Sequence, residues 1–291
     1  MVLEYHNIRD NPKDVYSQSP DQLRSDLQLL YDNGYVTLDI HDFINGRIDT
    51  PAGKTPVVLT FDDASKYQFR YLDSTGTRLD PNCAVAILES FAARHPDFGN
   101  HATFFVLPSG FEQPALKAKK YQYLISHGFA VGNHTWTHPL MQKLTPQKVQ
   151  EEIGRDNNDI LKILPGYKVD VLAYPFGTRP RTAGKTDYTH VASGTWEGQA
   201  YHIKAAFLVG AEPAPSPFSL KFKPLAIPRV QAIEKDFKNA EKLSQWVKSQ
   251  RDHPASRFIS DGNPDVISIP KKLRSSLNPA AVGNRKVVTW P

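Results

Sequence analysis

Five apolar or β-branched residues end abruptly in two carboxylates in the stretch Val57-Val58-Leu59-Thr60-Phe61-Asp62-Asp63. A run this short and this uniformly apolar is typical of a strand buried on both faces, as strands of parallel sheets are. Parallel barrels carry their functional groups at the C-terminal ends of such strands. The stretch therefore predicts a parallel strand with a functional acid pair at its end.

Similar runs recur along the chain and alternate with amphipathic stretches. The predicted strands are Val2–Tyr5, Pro56–Phe61, Ala102–Leu107, Phe129–Gly132, Val169–Tyr174, Lys204–Val209, Leu225–Pro228 and Val266–Ile269. The predicted helices lie between Pro20 and Gly34, at Ala84–Arg94, at Ala115–His127, between Pro146 and Pro165, and at Asn239–His253. This alternation indicates an α/β fold, most simply a distorted (β/α) barrel of about seven to eight parallel strands. An open doubly wound sheet is the alternative.

The bulk composition excludes several classes of protein. Apolar residues make up 40% and charged residues 22% of the 291 residues, which is typical of a globular domain. No apolar run approaches the roughly 20 residues that a membrane-spanning helix needs. The net charge of +5 is spread along the chain, so we expect no nucleic-acid partner, and Cys83 has no second cysteine to pair with. We expect a monomer.

A basic bias appears only near the end of the chain. Five Lys or Arg residues follow Asp265, the last acidic residue, and they are Lys271, Lys272, Arg274, Arg285 and Lys286. We therefore predict a domain over residues 1–270 and a basic C-terminal extension over residues 271–291, with a solvated tail as the simplest reading. Met1 leads directly into a strand-like run, without the pattern of a signal peptide.

Polar residues follow nearly all of the predicted strands. In chain order they are His6, Asp62-Asp63, His134, Tyr174-Pro175-Phe176-Gly177, Glu212 and Arg229. Because the C-terminal ends of parallel strands meet at one rim of a barrel, these side chains are expected to converge there.

Asp62-Asp63 and His134-Thr135-Trp136-Thr137-His138 form the strongest pair of patterns. Adjacent carboxylates repel each other unless a cation neutralises them, although a helix N-cap is an alternative reading of the pair. Two imidazoles four residues apart can share a metal, although an isolated pair of this spacing is more often two hydrogen-bonded loop histidines. Asp63, His134 and His138 together would supply three metal ligands and leave a position open for water, as catalytic zinc sites do. Asp62 is then placed to accept the proton of that water.

These two patterns, Thr60-Phe61-Asp62-Asp63 and His134-Thr135-Trp136-Thr137-His138, resemble the first two motifs of the polysaccharide deacetylases, the NodB-homology or carbohydrate esterase family four. The resemblance implies a distorted (β/α) barrel, a divalent metal that is usually Zn²⁺, and hydrolysis of N- or O-acetyl groups on polysaccharides. It assigns the base to Asp62 and the metal to Asp63, His134 and His138.

Tyr174-Pro175-Phe176-Gly177 resembles the third motif of that family, which implies that the backbone N–H of Phe176 stabilises an oxyanion. The family usually has an arginine two residues before the proline, where this chain has Ala173. Arg229, in Ile227-Pro228-Arg229, is a candidate replacement from the seventh strand end. A structural arginine is the alternative.

The late Leu-x-His motif that supplies the family's general acid is also missing. The last predicted strand reads Val266-Ile267-Ser268-Ile269 and has no histidine. His6, which follows the first strand, is the best-placed candidate, and a structural imidazole is the alternative.

The resemblance further implies a polysaccharide substrate and a site of action outside the cell or in the cell envelope. Tyr174 and Trp136 are candidates for stacking on sugar rings, although such residues are more often part of the core. Two other readings stay open, namely a metal amidase that acts on a non-sugar amide and a catalytically weak carbohydrate-binding domain.

Overall fold

The computed structural model of the protein describes residues 1–210, 212–235 and 241–291. Within these residues the strands are β1 Val2–Tyr5, β2 Asn7–Ile8, β3 Ser17–Gln18, β4 Tyr35–Thr37, β5 Thr55–Phe61, β6 Thr103–Val106, β7 Ala130–Asn133, β8 Val171–Ala173, β9 Arg181–Thr182, β10 Lys185–Thr186, β11 Ser193–Trp196, β12 Gln199–His202, β13 Ala205–Phe207, β14 Val230–Gln231, β15 Val266–Pro270 and β16 Lys286–Trp290.

The α-helices are α1 Pro20–Asp32, α2 Ile40–Ile44, α3 Ala84–Arg94, α4 Lys117–Ser126, α5 Pro146–Ile163, α6 Thr189–Ala192, α7 Leu243–Asp252 and α8 Pro279–Val282. Short 3₁₀ turns lie at Pro96–Phe98, Pro114–Leu116, Met141–Lys143, Pro175–Gly177, Pro254–Ser256 and Lys271–Ser276. No helix of the described ranges is long and apolar enough to cross a membrane.

Local sequence explains how the longer helices begin. Ser19 caps α1 by accepting a hydrogen bond from the backbone N–H of Gln22, and Thr145 caps α5 in the same way through Lys148. A proline follows each cap at the first helical position, where its missing N–H costs nothing. The predicted helices are thus confirmed, except that Asn239 and Ala240, the predicted start of the last one, lie outside the described residues.

The main sheet has the strand order β13-β8-β7-β6-β5-β1-β14, with β4 paired to β5, and its ladders are parallel. Ile227 forms a parallel bridge with Phe207 of β13, and Val230 pairs with Leu3 of β1. The segment 227–231 therefore connects the two ends of the sheet. The predicted distorted (β/α) barrel of parallel strands is confirmed.

Two strand predictions need correction. Val266–Ile269 was expected to be a barrel strand, but β15 pairs in parallel with β16 in a separate two-stranded sheet. Val266, Ser268 and Ile269 of β15 are only partly buried, whereas barrel strands are buried on both faces. Leu225–Pro228 makes only the single bridge at Ile227, and the strand proper, β14, begins after Arg229. Division of the chain at residue 270 stays a prediction.

The barrel interior changes character from one end to the other. Val2, Val58 and Phe207 belong to an apolar cluster inside the barrel, together with Ile267 of β15. Towards the C-terminal ends of the strands the interior becomes polar, because alternate positions on β1 and β5 carry Glu4 and Thr60. The helices α1, α3 and α4 cover the outer face through a second, larger cluster. The polar end is where the candidate site lies.

Candidate active site

The adjacent carboxylates of Asp62 and Asp63, at the end of β5, point in different directions. The backbone N–H of Asp62 still donates to Tyr5 of β1, at 2.9 Å, so Asp62 keeps strand geometry and is buried. Asp63 has φ 79° and Ala64 has φ 48°, which turns the chain sharply after the strand. The next helix, α3, begins only at Ala84, so the N-cap reading of the pair is wrong.

Asp63, His134 and His138 converge on one point. Oδ1 of Asp63 lies 3.3 Å from Nε2 of His134 and 3.4 Å from Nε2 of His138. The three potential ligand atoms all lie within 4.8 Å of one another. Thr135 and His138 have φ 69° and 55°, so a looped backbone after β7 brings the two imidazoles together, and no helix is needed.

His134 is held in one orientation by the strand next to it. Its Nδ1 lies 2.9 Å from the carbonyl oxygen of Ala173 at the end of β8. A carbonyl only accepts, so Nδ1 carries a proton, and Nε2 is the ring nitrogen that faces Asp63. The backbone N–H of His134 donates to the buried carboxylate of Asp156 on α5, at 3.1 Å.

This donor set suits a divalent cation. Two imidazole nitrogens and one carboxylate oxygen are the ligands of many catalytic zinc sites, which keep one position open. Burial alone would raise the pKa of Asp63, but the hydrogen bond with His134 outweighs it and holds that pKa well below its usual range. Burial and the neighbouring His134 lower the pKa of His138, which favours the neutral imidazole that a metal binds.

Asp62 is paired with a buried arginine. Arg229 donates to both carboxylate oxygens of Asp62, at 2.7 and 2.6 Å, and also to Thr60 Oγ1 and the carbonyl of Leu208. The guanidinium is 0% exposed. Burial raises the pKa of Asp62, but the charge of Arg229 outweighs burial and the net shift is downward, so the carboxylate stays ionised.

Glu4 is a polar residue of the site that the motif comparison missed. It is fully buried on β1, accepts a 2.6 Å hydrogen bond from the backbone N–H of Gly210, and lies 3.6 Å from Nε of Arg229. Its other oxygen lies 3.5 Å from Nε2 of His6. An acid within the otherwise apolar run Val2-Leu3-Glu4-Tyr5 was the available sequence signal, since a buried charge needs a partner.

The Pro175–Gly177 turn places Phe176 at the mouth of the barrel. Phe176 has φ 56°, an uncommon conformation for a residue with a side chain. Its ring lies 4.5 Å from the ring of His138 and remains largely exposed. The turn therefore brings the ring of Phe176 beside His138 of the metal-ligand group.

The aromatic residues expected to stack on sugars are placed differently. Tyr174 is fully buried and its hydroxyl donates to the carbonyl of Leu225, so the prediction that its ring stacks on a sugar is wrong. Trp136 is half-buried, and the guanidinium of Arg155 covers its ring at 4.6 Å. Glu212 is exposed and makes no described contact with the site residues.

The profile of the polysaccharide deacetylase family matches residues 49–190. The chain is 30% identical over 122 residues to the peptidoglycan-N-acetylmuramic acid deacetylase PdaC of Bacillus subtilis (strain 168), covering 42% of this chain and 21% of PdaC. It is 32% identical over 124 residues to the chitooligosaccharide deacetylase of Rhizobium leguminosarum bv. phaseoli, covering 42% of this chain and 45% of that protein. The matches thus span less than half of either relative.

The fold is also found among solved structures. The Streptococcus pyogenes deacetylase PplD, solved in complex with acetate, superposes with a TM-score of 0.61 at 19% identity, covering 85% of this chain and 96% of PplD. The matched residues 49–190 contain the Asp62-Asp63 pair, both histidines and the Pro175–Gly177 turn. Over these residues the chain is similar to the polysaccharide deacetylases.

Proposed function

We propose that this protein is a metal-dependent hydrolase that removes acetyl groups from an N-acetylated polysaccharide. One observation carries the proposal, namely the convergence of Asp63, His134 and His138 beside the ionised Asp62–Arg229 pair. The activities named for the relatives, on peptidoglycan and on chitooligosaccharides, support a sugar amide as substrate. Such substrates support a site of action outside the cell or in the cell envelope.

Asp63, His134 and His138 would hold the metal, for which Zn²⁺ best suits two imidazoles and one carboxylate. A bound Zn²⁺ supplies a water whose pKa is lowered to about 7 and polarises the amide carbonyl. Each protein side chain then has one task. Asp62 accepts the proton of the attacking water, and Arg229 keeps that carboxylate ionised and oriented through its two hydrogen bonds.

The remaining groups act on the tetrahedral intermediate. The backbone N–H of Phe176 donates to the oxyanion that forms at the former carbonyl. His6, held by Glu4, donates a proton to the amide nitrogen, so that the C–N bond breaks to acetate and a free amine.

Metal content and acetate release together test the proposal. We expect metal-free protein to release no acetate from N-acetylglucosamine oligomers or peptidoglycan, and one equivalent of Zn²⁺ to restore release. His138→Ala should lose bound metal. Asp62→Asn should keep the metal, since Asp62 is not among the three ligands, but turn over about 10²- to 10⁴-fold more slowly. Asp265→Asn, at an exposed position, is the matched control.

The outcomes separate the competing functions. A protein that binds no divalent metal at the Asp63 group would be a carbohydrate-binding domain. Metal binding together with hydrolysis of small acetamides, but no release from any glycan, would indicate an amidase for non-sugar amides. Full activity in Asp62→Asn would remove Asp62 as the base.

A further inference from the structure

A cavity of about 740 Å³ lies at the closed end of the barrel. It is lined by Thr55 and Val58 of β5, Phe43 of α2 and Ile267 of β15, among others. Thr55 begins β5, whereas the candidate active site follows the last residue of that strand. A volume between about 300 and 1,000 Å³ and a mostly apolar lining are typical of pockets that bind small molecules. An apolar cavity offers water too few hydrogen-bond partners and favours an apolar ligand instead.

The apolar lining extends from the core to the surface. Val58 and Ile267 are 1% exposed, whereas Ile259, Leu273 and Trp290, which line the same cavity, are 42%, 38% and 41% exposed. Large apolar groups that cluster at the surface in this way are typical of a binding site. A ligand with a long apolar part would therefore be covered over its whole length.

A second hollow adjoins the cavity and carries positive charge. It shares Ala255, Pro270 and Trp290 with the lining of the cavity, and Lys271 and Lys272 flank it. Both lysines are exposed, and no described residue forms a salt bridge with either of them. An anionic group in this hollow would meet two ammonium groups without displacing a carboxylate.

The other charged side chains of the cavity leave this excess of positive charge in place. The guanidinium of Arg257 is already used, since it donates to Thr55 Oγ1 and to the carbonyl of Asn33. Lys221 adds a third exposed ammonium group, and Asp261 is the single acid among the described lining residues. The cavity and the hollow together thus combine an apolar interior with a basic opening.

We propose that the cavity binds a single-chain anionic amphiphile of the fatty-acid class. The acyl chain occupies the apolar cavity, and the anionic head group lies against Lys271 and Lys272 in the adjoining hollow. Burial of each methylene contributes to affinity, and the lysines select the charge of the head group. The site is separate from the group of Asp63, His134 and His138, so the inference does not depend on the function proposed above.

The dependence of affinity on chain length and on head-group charge tests the inference. In calorimetric titrations below the critical micelle concentrations, we expect octanoate, decanoate and dodecanoate to bind with an affinity that rises about tenfold at each step. Dodecylamine and dodecyl maltoside should bind at least about tenfold more weakly than dodecanoate, because neither has an anionic head. An affinity that does not change with chain length, or equal binding of dodecanoate and dodecylamine, would overturn the inference.

Two variants locate the binding site. Ser268 of β15 is partly buried and lines the cavity, so Ser268→Trp should fill it and weaken the binding of dodecanoate at least about tenfold. The surface variant Lys271→Glu/Lys272→Glu should weaken dodecanoate about tenfold and leave the binding of dodecyl maltoside unchanged.

Lys162→Glu/Lys168→Glu is the matched control for the double variant, since it makes the same change of charge at two exposed lysines beside the end of α5. This control should bind dodecanoate as the unaltered protein does. Equal affinities of the two double variants for dodecanoate would overturn the inference, and circular dichroism verifies that each variant is folded.

Two other occupants of the same opening are distinguished by further measurements. We expect the protein to sediment as a monomer and to bind soluble dodecanoate in the absence of any membrane. Binding to phosphatidylglycerol vesicles without binding of soluble dodecanoate would assign the opening to a membrane surface. A dimer that Leu273→Asp dissociates would assign it to a second copy of the chain. Either of these last two outcomes would overturn the inference.

Discussion

The arginine that pairs with Asp62 comes from a different strand than the third motif of the family would suggest. The family's third motif usually brings an arginine to the base from the position that Ala173 fills here. In this chain Ala173 contributes its backbone carbonyl to His134 instead, and the guanidinium reaches Asp62 from the start of β14. The planar guanidinium group has two parallel N–H donors that match the two oxygens of a carboxylate. This match does not depend on which strand along the rim carries the arginine.

Arg229→Met tests this pair at the residue scale. The change leaves Asp62 and Glu4 as buried carboxylates without their shared cation, so we expect a loss of about 3 to 5 kcal/mol of unfolding free energy. Acetate release should fall at least about 100-fold, because the base loses both its charge partner and its orientation. Thermal unfolding and steady-state kinetics measure the two effects.

Two further variants frame that result. Arg229→Lys keeps the positive charge but loses the two parallel N–H donors. Compared with Arg229→Met, it should recover part of the unfolding free energy but little of the rate of acetate release. Arg251→Met, at an exposed arginine of α7, should leave stability and rate nearly unchanged. Undiminished turnover in Arg229→Met would show that Arg229 is purely structural.

At the scale of an element, helix α1 has a buried acid, Asp26, on the side that packs against β1. Asp26 is 1% exposed and accepts a hydrogen bond from Gln22 one turn earlier. Burial raises the pKa of Asp26 to about 7, and the negative charge of Glu234 acts in the same direction. Tyr5 of β1, beside His6, is the other titratable group that faces it.

Asp26→Asn is therefore expected to stabilise the protein at alkaline pH. A carboxyl whose pKa is raised in the folded state binds its proton more tightly there than in the unfolded state. Its contribution to the free energy of unfolding is therefore fully present below pH 4 and is lost as the pH rises towards 7. The ionised form costs up to roughly 4 kcal/mol above that pH. The variant should show a gain in unfolding free energy that grows from pH 4 to pH 8, measured by denaturant titration.

Asp21, an exposed acid on the same helix, is the control. Asp21→Asn should change stability by about 0.5 kcal/mol or less at pH 8. If Asp26→Asn is no more stable than the unaltered protein at pH 8, burial does not raise the pKa of Asp26.

At the scale of the whole molecule, the C-terminal residues contribute to the closed end of the barrel. β15 carries Ile267 into the apolar cluster inside the barrel, and β16 pairs with β15 along its full length. Val287 of β16 packs against the same cluster, whereas Val288 points away and is 39% exposed. This end lies opposite the candidate active site.

Deleting residues 271–291 should therefore lower Tm without loss of bound metal. Removing the partner of β15 exposes several apolar side chains, which is worth a few kcal/mol and roughly 5 to 10 °C in a domain of this size. Differential scanning calorimetry and metal analysis measure the two properties. Val287→Asp should reproduce much of the loss and Val288→Asp little of it. An unchanged Tm after deletion would show that the extension is independent of the barrel.

Much of this architecture could be predicted because local rules and tertiary packing agree. The strand β5, which ends just before Asp62, was predicted to within one residue, since seven nearly continuous buried residues leave little ambiguity. β4 was missed because three residues carry too weak a pattern. Val266–Ile269 was misplaced because a short apolar strand reads the same whether it joins a barrel or a separate two-stranded sheet.

The sequence by itself determined the alternation of strands and helices, the rim on which the acids and histidines meet, and the resemblance to the polysaccharide deacetylases. These follow from periodicity, capping residues and short motifs, which act over a few neighbouring residues. Only the tertiary structure decided that Arg229 pairs with Asp62, that Glu4 joins His6, that Tyr174 is buried while Tyr16 and Phe176 are exposed, and that β15 leaves the barrel. Each of these depends on contacts between residues far apart in the chain, which are fixed when the sheet curls and closes.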